Sequence, residues 1–171
     1  MDFDFITYMS DVAEKLKEIQ HSLQNRRFHR VSSIANIEEL LSNMGNTEGL
    51  QLLVVDAYDG RFIDNNSSNL LDSRLFTFYV VKNIQEATDF DEKQEALKQC
   101  RLVSKKILSK LFLDKLTDSQ AKTETGLRNL DRQSVRYLTV GPIGDNYHGI
   151  ETIFTILEKP GIIFSEEDWL S

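Results

Sequence analysis

Residues Arg74–Lys82 read RLFTFYVVK. Leu75, Phe76, Phe78, Tyr79, Val80 and Val81 place apolar side chains at both odd and even positions, so neither face of this strand suits water. A strand apolar on both faces belongs in the middle of a sheet, with helices covering at least one side. The neighbouring segments take their roles from that central strand.

Upstream, Leu50–Tyr58 (LQLLVVDAY) is short, apolar and β-branched, and reads as a second buried strand. Asp59-Gly60 then signals a two-residue hairpin, with Arg61-Phe62-Ile63 starting a brief return strand. Asp64–Asn69 (DNNSSN) is polar and turn-prone, and the loop before the central strand is expected over 64–73. At the start of the chain Ile6, Met9, Val12, Ala13, Leu16, Ile19 and Leu23 recur at helical steps, which predicts an amphipathic helix. A basic patch, Arg26-Arg27-Phe28-His29-Arg30, leads to a short helix over 36–44. Asn36 and Glu39 stand at capping-box spacing, Ile37, Leu40, Leu41 and Met44 form its stripe, and Gly45 ends it.

Downstream, Ala96, Cys100, Val103, Ile107 and Leu111 predict a long helix from about Asp91 to Leu116, with Lys98, Arg101, Lys105, Lys106 and Lys110 on its other sides. Thr117–Ser134 shows neither period and reads as a long exposed loop. Val135–Val140 and Ile150–Leu157 are two further strands, joined through the turn residues Gly141–Asn146. Pro160-Gly161 closes the sheet, and the tail 161–171 lies on the surface. The expected fold is therefore a single α+β domain over 1–171. Helices occupy 1–45, and the sheet with its long helix 91–116 occupies 50–160. Four to five mainly antiparallel strands carry helices on one face.

The composition narrows the function classes. Apolar residues make up 40% and charged residues 27% of the 171, which are globular values. No run approaches the roughly 20 apolar residues of a membrane span. The acidic start, MDFDFITYMSDVAEK, lacks the basic and greasy parts of a secretion signal. The single Cys100 fits a reducing compartment, so an intracellular protein is expected. A net charge of −7 gives no general attraction for nucleic acid.

The residues that could carry catalysis or bind a metal lack the patterns this chemistry needs. Asp56, Asp59 and Asp64 around Gly60 fail the calcium-loop pattern, because Tyr58 and Ser67 fall where ligands are needed. His21, His29 and His148 form no zinc-ligand spacing. Gly141, Gly144 and Gly149 precede a strand, whereas a phosphate cradle opens a helix. The carboxylate pairs Glu38-Glu39 and Glu166-Glu167-Asp168 sit at a cap and a tail, where solvation explains them. Cys100 reads as a small buried residue. The basic side of the long helix reads as a solvated face or a contact with an acidic neighbouring subunit. No catalytic, cofactor-binding or metal-binding residue is assigned.

In its element order, and in Asn69–Lys82 (NLLDSRLFTFYVVK) and Leu138–Leu157 (LTVGPIGDNYHGIETIFTIL), the chain resembles head–tail completion proteins of bacteriophages. Within these it is most similar to the tail terminators of long-tailed phages. The likeness covers roughly residues 1–160, and the helix 36–44 is additional to it. It implies a non-enzymatic virion protein that assembles into a hexameric ring, caps the tail tube and joins it to the head. The expected partners are copies of itself, tail-tube proteins and head-connector or neck proteins. Neither specific nucleic-acid binding nor a membrane is expected. The implied location is the host cytoplasm during assembly and then the tail or neck of the particle. The resemblance carries no catalytic residues. Rival readings are a cytosolic adaptor or binding module, and a small hydrolase without a recognised motif.

Overall fold

The computed structural model describes residues 3–64, 70–85, 89–121 and 126–159. In chain order the elements are α1 (Phe5–Lys15), β1 (Phe28–Val31), α2 (Ala35–Met44), β2 (Leu50–Val55) and β3 (Gly60–Asp64). There follow β4 (Leu70–Asn83), α3 (Phe90–Ala121), β5 (Leu130–Ile143) and β6 (Tyr147–Glu158). The fold is α+β with a mostly antiparallel sheet.

The expected central strand is central. β4 pairs antiparallel along one side with β6, from Asp72↔Glu158 to Asn83↔Tyr147, and β5 continues antiparallel beyond β6. Its other side is shared in tandem: β2 takes 77–82 and β3 takes 70–74, both antiparallel. β1 lies outside β2 and parallel to it, so the order runs β1-β2-β4-β6-β5 with β3 on the flank of β4.

Strand alternation sends the apolar side chains to two cores. On one face Leu52 and Val54, Phe76, Phe78 and Val80, and Ile150, Phe154 and Ile156 meet α1 and α3. The α3 stripe is the expected one, with Ala96, Cys100, Val103, Ile107 and Leu111 all buried. Phe76 stacks on Phe154 with ring centres 5.5 Å apart, and Phe5 meets Phe76 edge-on at 5.1 Å. On the other face Leu53, Val55, Tyr79, Val81 and Tyr147 meet Ile37 and Leu41 of α2. Full burial of each such side chain contributes about 1.5–3 kcal/mol. The backbones of β4 and β6 approach so closely that a Cβ on Gly149 would lie 2.1 Å from the Val80 carbonyl oxygen.

Several expectations are corrected. The sheet has six strands rather than four to five, because Phe28–Val31 of the basic patch forms β1. The helices do not share one face: α2 covers the side opposite α1 and α3. Asp59-Gly60 is no hairpin between β2 and β3, since β4 is long enough to pair with both end to end. α1 stops at Lys15, and while Ile19 is buried after the turn, Leu23 is 91% exposed.

Asn36 does not cap α2. Ile34 holds that position without a side-chain hydrogen bond, and Asn36 Oδ1 accepts from Ser32 and Ser33 at 2.9 and 2.7 Å. Gly45 does end α2, at φ +61°. Within the expected loop 117–134, α3 continues to Ala121, a 3-10 turn spans Leu127–Asn129 and β5 begins at Leu130, while 122–125 lie outside the described residues. The expected loop 64–73 narrows likewise, as Leu70–Ser73 belongs to β4. Its centre, 65–69, and the tail from Pro160 lie outside the described residues.

Candidate functional site

The residues weighed from sequence do not come together. His21 lies beyond α1, and its Nδ1 accepts from the backbone N–H groups of Arg27 and Phe28 at 3.1 and 3.3 Å. His29 is on β1, 3.2 Å from the Gln51 side-chain oxygen, and burial holds its pKa below the usual imidazole value. His148 is on β6, 4% exposed, with Nδ1 unpartnered and its pKa also lowered by burial. Cys100 lies on the buried side of α3 with Sγ 3.9 Å from the His148 carbonyl oxygen, and burial pushes its thiol up to about 12. A thiol so placed stays protonated and unreactive at neutral pH.

The three aspartates have separate surroundings. Asp56 pairs with Arg30, the Asp59 carbonyl accepts from the Leu75 N–H at 2.7 Å, and Asp64 ends β3. Among the described residues no three His, Cys, Asp or Glu side chains group closely enough to hold a metal ion. Gly141, at the register shift near the end of β5, and Gly144, in the turn to β6, both sit at positive φ, and Gly149 lets β6 approach β4. Glu38 and Glu39 are exposed on α2, while Glu166, Glu167 and Asp168 lie outside the described residues.

Lateral surfaces are what the fold does offer. Among the described residues, nothing pairs with the outer side of β5, a 14-residue strand. It is an edge on which Tyr137 and Leu138 are 49% and 56% exposed. Beside it runs α3, whose outward side shows Leu102, Leu113 and Leu116. Arg101 lies over the Tyr137 ring at 5.6 Å and donates to its hydroxyl at 3.2 Å. Arg132 lies over Phe112 at 5.4 Å. Each guanidinium is held by a ring, and among the described residues neither pairs with a carboxylate.

The opposite border of the sheet is built differently. There β1 is parallel and four residues long, and β3 presents Phe62 beside an exposed Tyr58. On the α2 side of the sheet, beyond the reach of α2, a polar trough of about 730 Å³ opens between β3 and β5. Ser73, Leu75, Ile153 and Thr155 form its floor, and Arg61 and Arg136 stand at its ends. Three strand spacings separate those arginines, roughly 14 Å across the sheet, so they do not converge on one small ligand.

The strand 135–140 and the basic side of α3 stood out in the sequence, but the stacked pairs between them did not. The ring–guanidinium pairs join residues 36 and 20 positions apart, a separation that no local pattern encodes. Exposed edge strands also lack the alternation that reveals buried ones. No helix among the described residues is long and apolar enough to cross a membrane. Comparison of the chain with protein families, with curated proteins and with solved structures gave no match.

Proposed function

We propose that the chain is a non-enzymatic structural protein of a phage or phage-like particle, a ring-forming tail terminator or neck component that joins tail to head. The reading starts from the resemblance in element order and in the strings 69–82 and 138–157. One geometrical observation supports it above others: the sheet ends in two unlike lateral borders, each bearing exposed apolar side chains. On one side stand β5 and α3 with Tyr137, Leu138, Leu102 and Leu113, and on the other stand β1 and β3 with Tyr58 and Phe62. Unlike surfaces on opposite sides of one subunit suit head-to-tail contacts, which close into a ring when the rotation per copy allows.

The charge agrees with such a role. A net −7 gives the wall of a ring little general hold on passing DNA, because phosphates bind clustered cations. Partners in this reading are further copies, tail-tube proteins and head-connector proteins. The protein is first in the host cytoplasm and then in the particle.

Immunogold labelling of purified particles tests the reading. The expected result is label at the head–tail junction, with ring-shaped density there in averaged images. A protein absent from particles, and monomeric or dimeric in the cell, would instead be the cytosolic adaptor.

A further inference from the structure

Charge is distributed very unevenly over the molecule. From Val31 to Gly60 the chain carries Glu38, Glu39, Glu48, Asp56 and Asp59 and not one Lys or Arg. From Lys93 to Lys115 it carries seven cations and two carboxylates. The fold sets these two segments on opposite faces of the sheet, α2 against Leu53, Val55 and Tyr79, and α3 against Phe76, Phe78 and Phe154. Within one copy they cannot meet.

Among the described residues, Lys106 is paired with Glu18, Lys110 with Asp114 and Lys98 with Glu95. Arg101, Lys105 and Arg132 have no carboxylate, and the first and last are stacked on Tyr137 and Phe112. Residues 101, 105 and 112 fall on one side of α3, so this is a cationic row. Leu102, Leu113 and Leu116 adjoin it, farther round the helix. On α2 the exposed Glu38 and Glu39 likewise lack a cation, and Ile34 beside them is 62% exposed. The helix α2, with Ile34, thus carries only negative charge, and the row on α3, with its leucines, only positive charge.

We infer that the α2 face of one copy docks on the α3/β5 face of the next, with Glu38 and Glu39 opposite Arg101 and Lys105. This places the second surface of the proposed head-to-tail assembly on α2, which directly follows the edge strand β1, rather than on Tyr58 and Phe62, and it rests on that reading. Exposed ion pairs are individually weak, so their role here is to fix partner and orientation while the apolar groups bury surface. Duplex DNA fits the row less well, because phosphates make no use of the adjoining leucines and the chain itself supplies the complementary acidic face.

Charge exchange between variants tests the contact. Sedimentation velocity at low salt should show wild-type association that weakens as salt is added. Glu38→Lys/Glu39→Lys and Arg101→Glu/Lys105→Glu, each alone, should associate about tenfold more weakly or worse. An equimolar mixture of the two should regain association, since each variant then meets its opposite. Lys105→Glu alone, which disturbs no ring contact, should shift association in the same direction, and circular dichroism checks that every variant is folded.

Folded variants that associate like wild type, a mixture that fails to recover, or a wild type monomeric at every concentration would overturn the contact. So would loss of duplex-DNA retention in Arg101→Glu/Lys105→Glu without any effect on association. Particles carrying Glu38→Lys/Glu39→Lys that still build normal tails would reject this contact and leave the terminator reading standing. Association through these faces in a protein absent from particles would do the reverse.

Discussion

Gly149 has the backbone of β4 against it, and its missing side chain is what lets Val80 and Val81 come so near. A methyl group there must push two central strands apart, so Gly149→Ala should cost about 1–3 kcal/mol. Urea denaturation reads this as a lower midpoint with an unchanged slope, and an unchanged midpoint would mean the strands can separate freely. His29 and His148 belong to the same scale. Burial holds both below the usual value of 6.5, so they stay neutral in the folded chain where the unfolded chain takes up protons. Stability present above that pH is then lost as pH falls below it. The urea midpoint should therefore drop between about pH 7 and about pH 5.5, before most carboxylates titrate. A variant with His29→Gln and His148→Gln should lose most of that dependence, and an equal slope in the variant would assign the protons to other groups.

Elements show where sequence logic held and where it stopped. β4 and the buried stripe of α3 were legible because burial on two faces, or on one helical face, leaves a regular apolar pattern. The end of α3 was not, because the next buried position along its stripe is Asp118, whose carboxylate accepts from the Arg128 N–H at 3.1 Å. A charged residue in a core position hides the period that the helix still obeys. β1 was hidden for a related reason: four residues, two of them His29 and Arg30, make no apolar run. The α2 stripe was legible but its side of the sheet was not, since an amphipathic pattern gives a buried face without naming the surface that buries it. Both helices nevertheless cover real cores. Leu41→Ala and Ile107→Ala should each cost about 2–5 kcal/mol, whereas Leu102→Ser on the outward side of α3 should change monomer stability by about 0.5 kcal/mol or less. A silent Leu41→Ala would contradict the two-faced arrangement. The proposed contact surface was legible in part: the basic side of α3 stood out, whereas Arg101 with Tyr137 and Arg132 with Phe112 meet only in the folded chain.

For the whole molecule, the lateral borders matter more than any single side chain. A sheet whose β5 side is unpaired among the described residues, with β1 and β3 on the other side, presents different surfaces to its left and right. The charged segments on α2 and α3 add a direction to that difference. Such a subunit is suited to repeat around a ring, and the proposed place for the ring is the joint between tail and head. The most direct test is electron microscopy of particles made from a genome in which the gene for this chain is interrupted. Tails of abnormal or uncontrolled length, with unattached heads beside them, are the predicted result, and supplying the protein should restore joining. Tails of normal length already attached to full heads would contradict the proposed function.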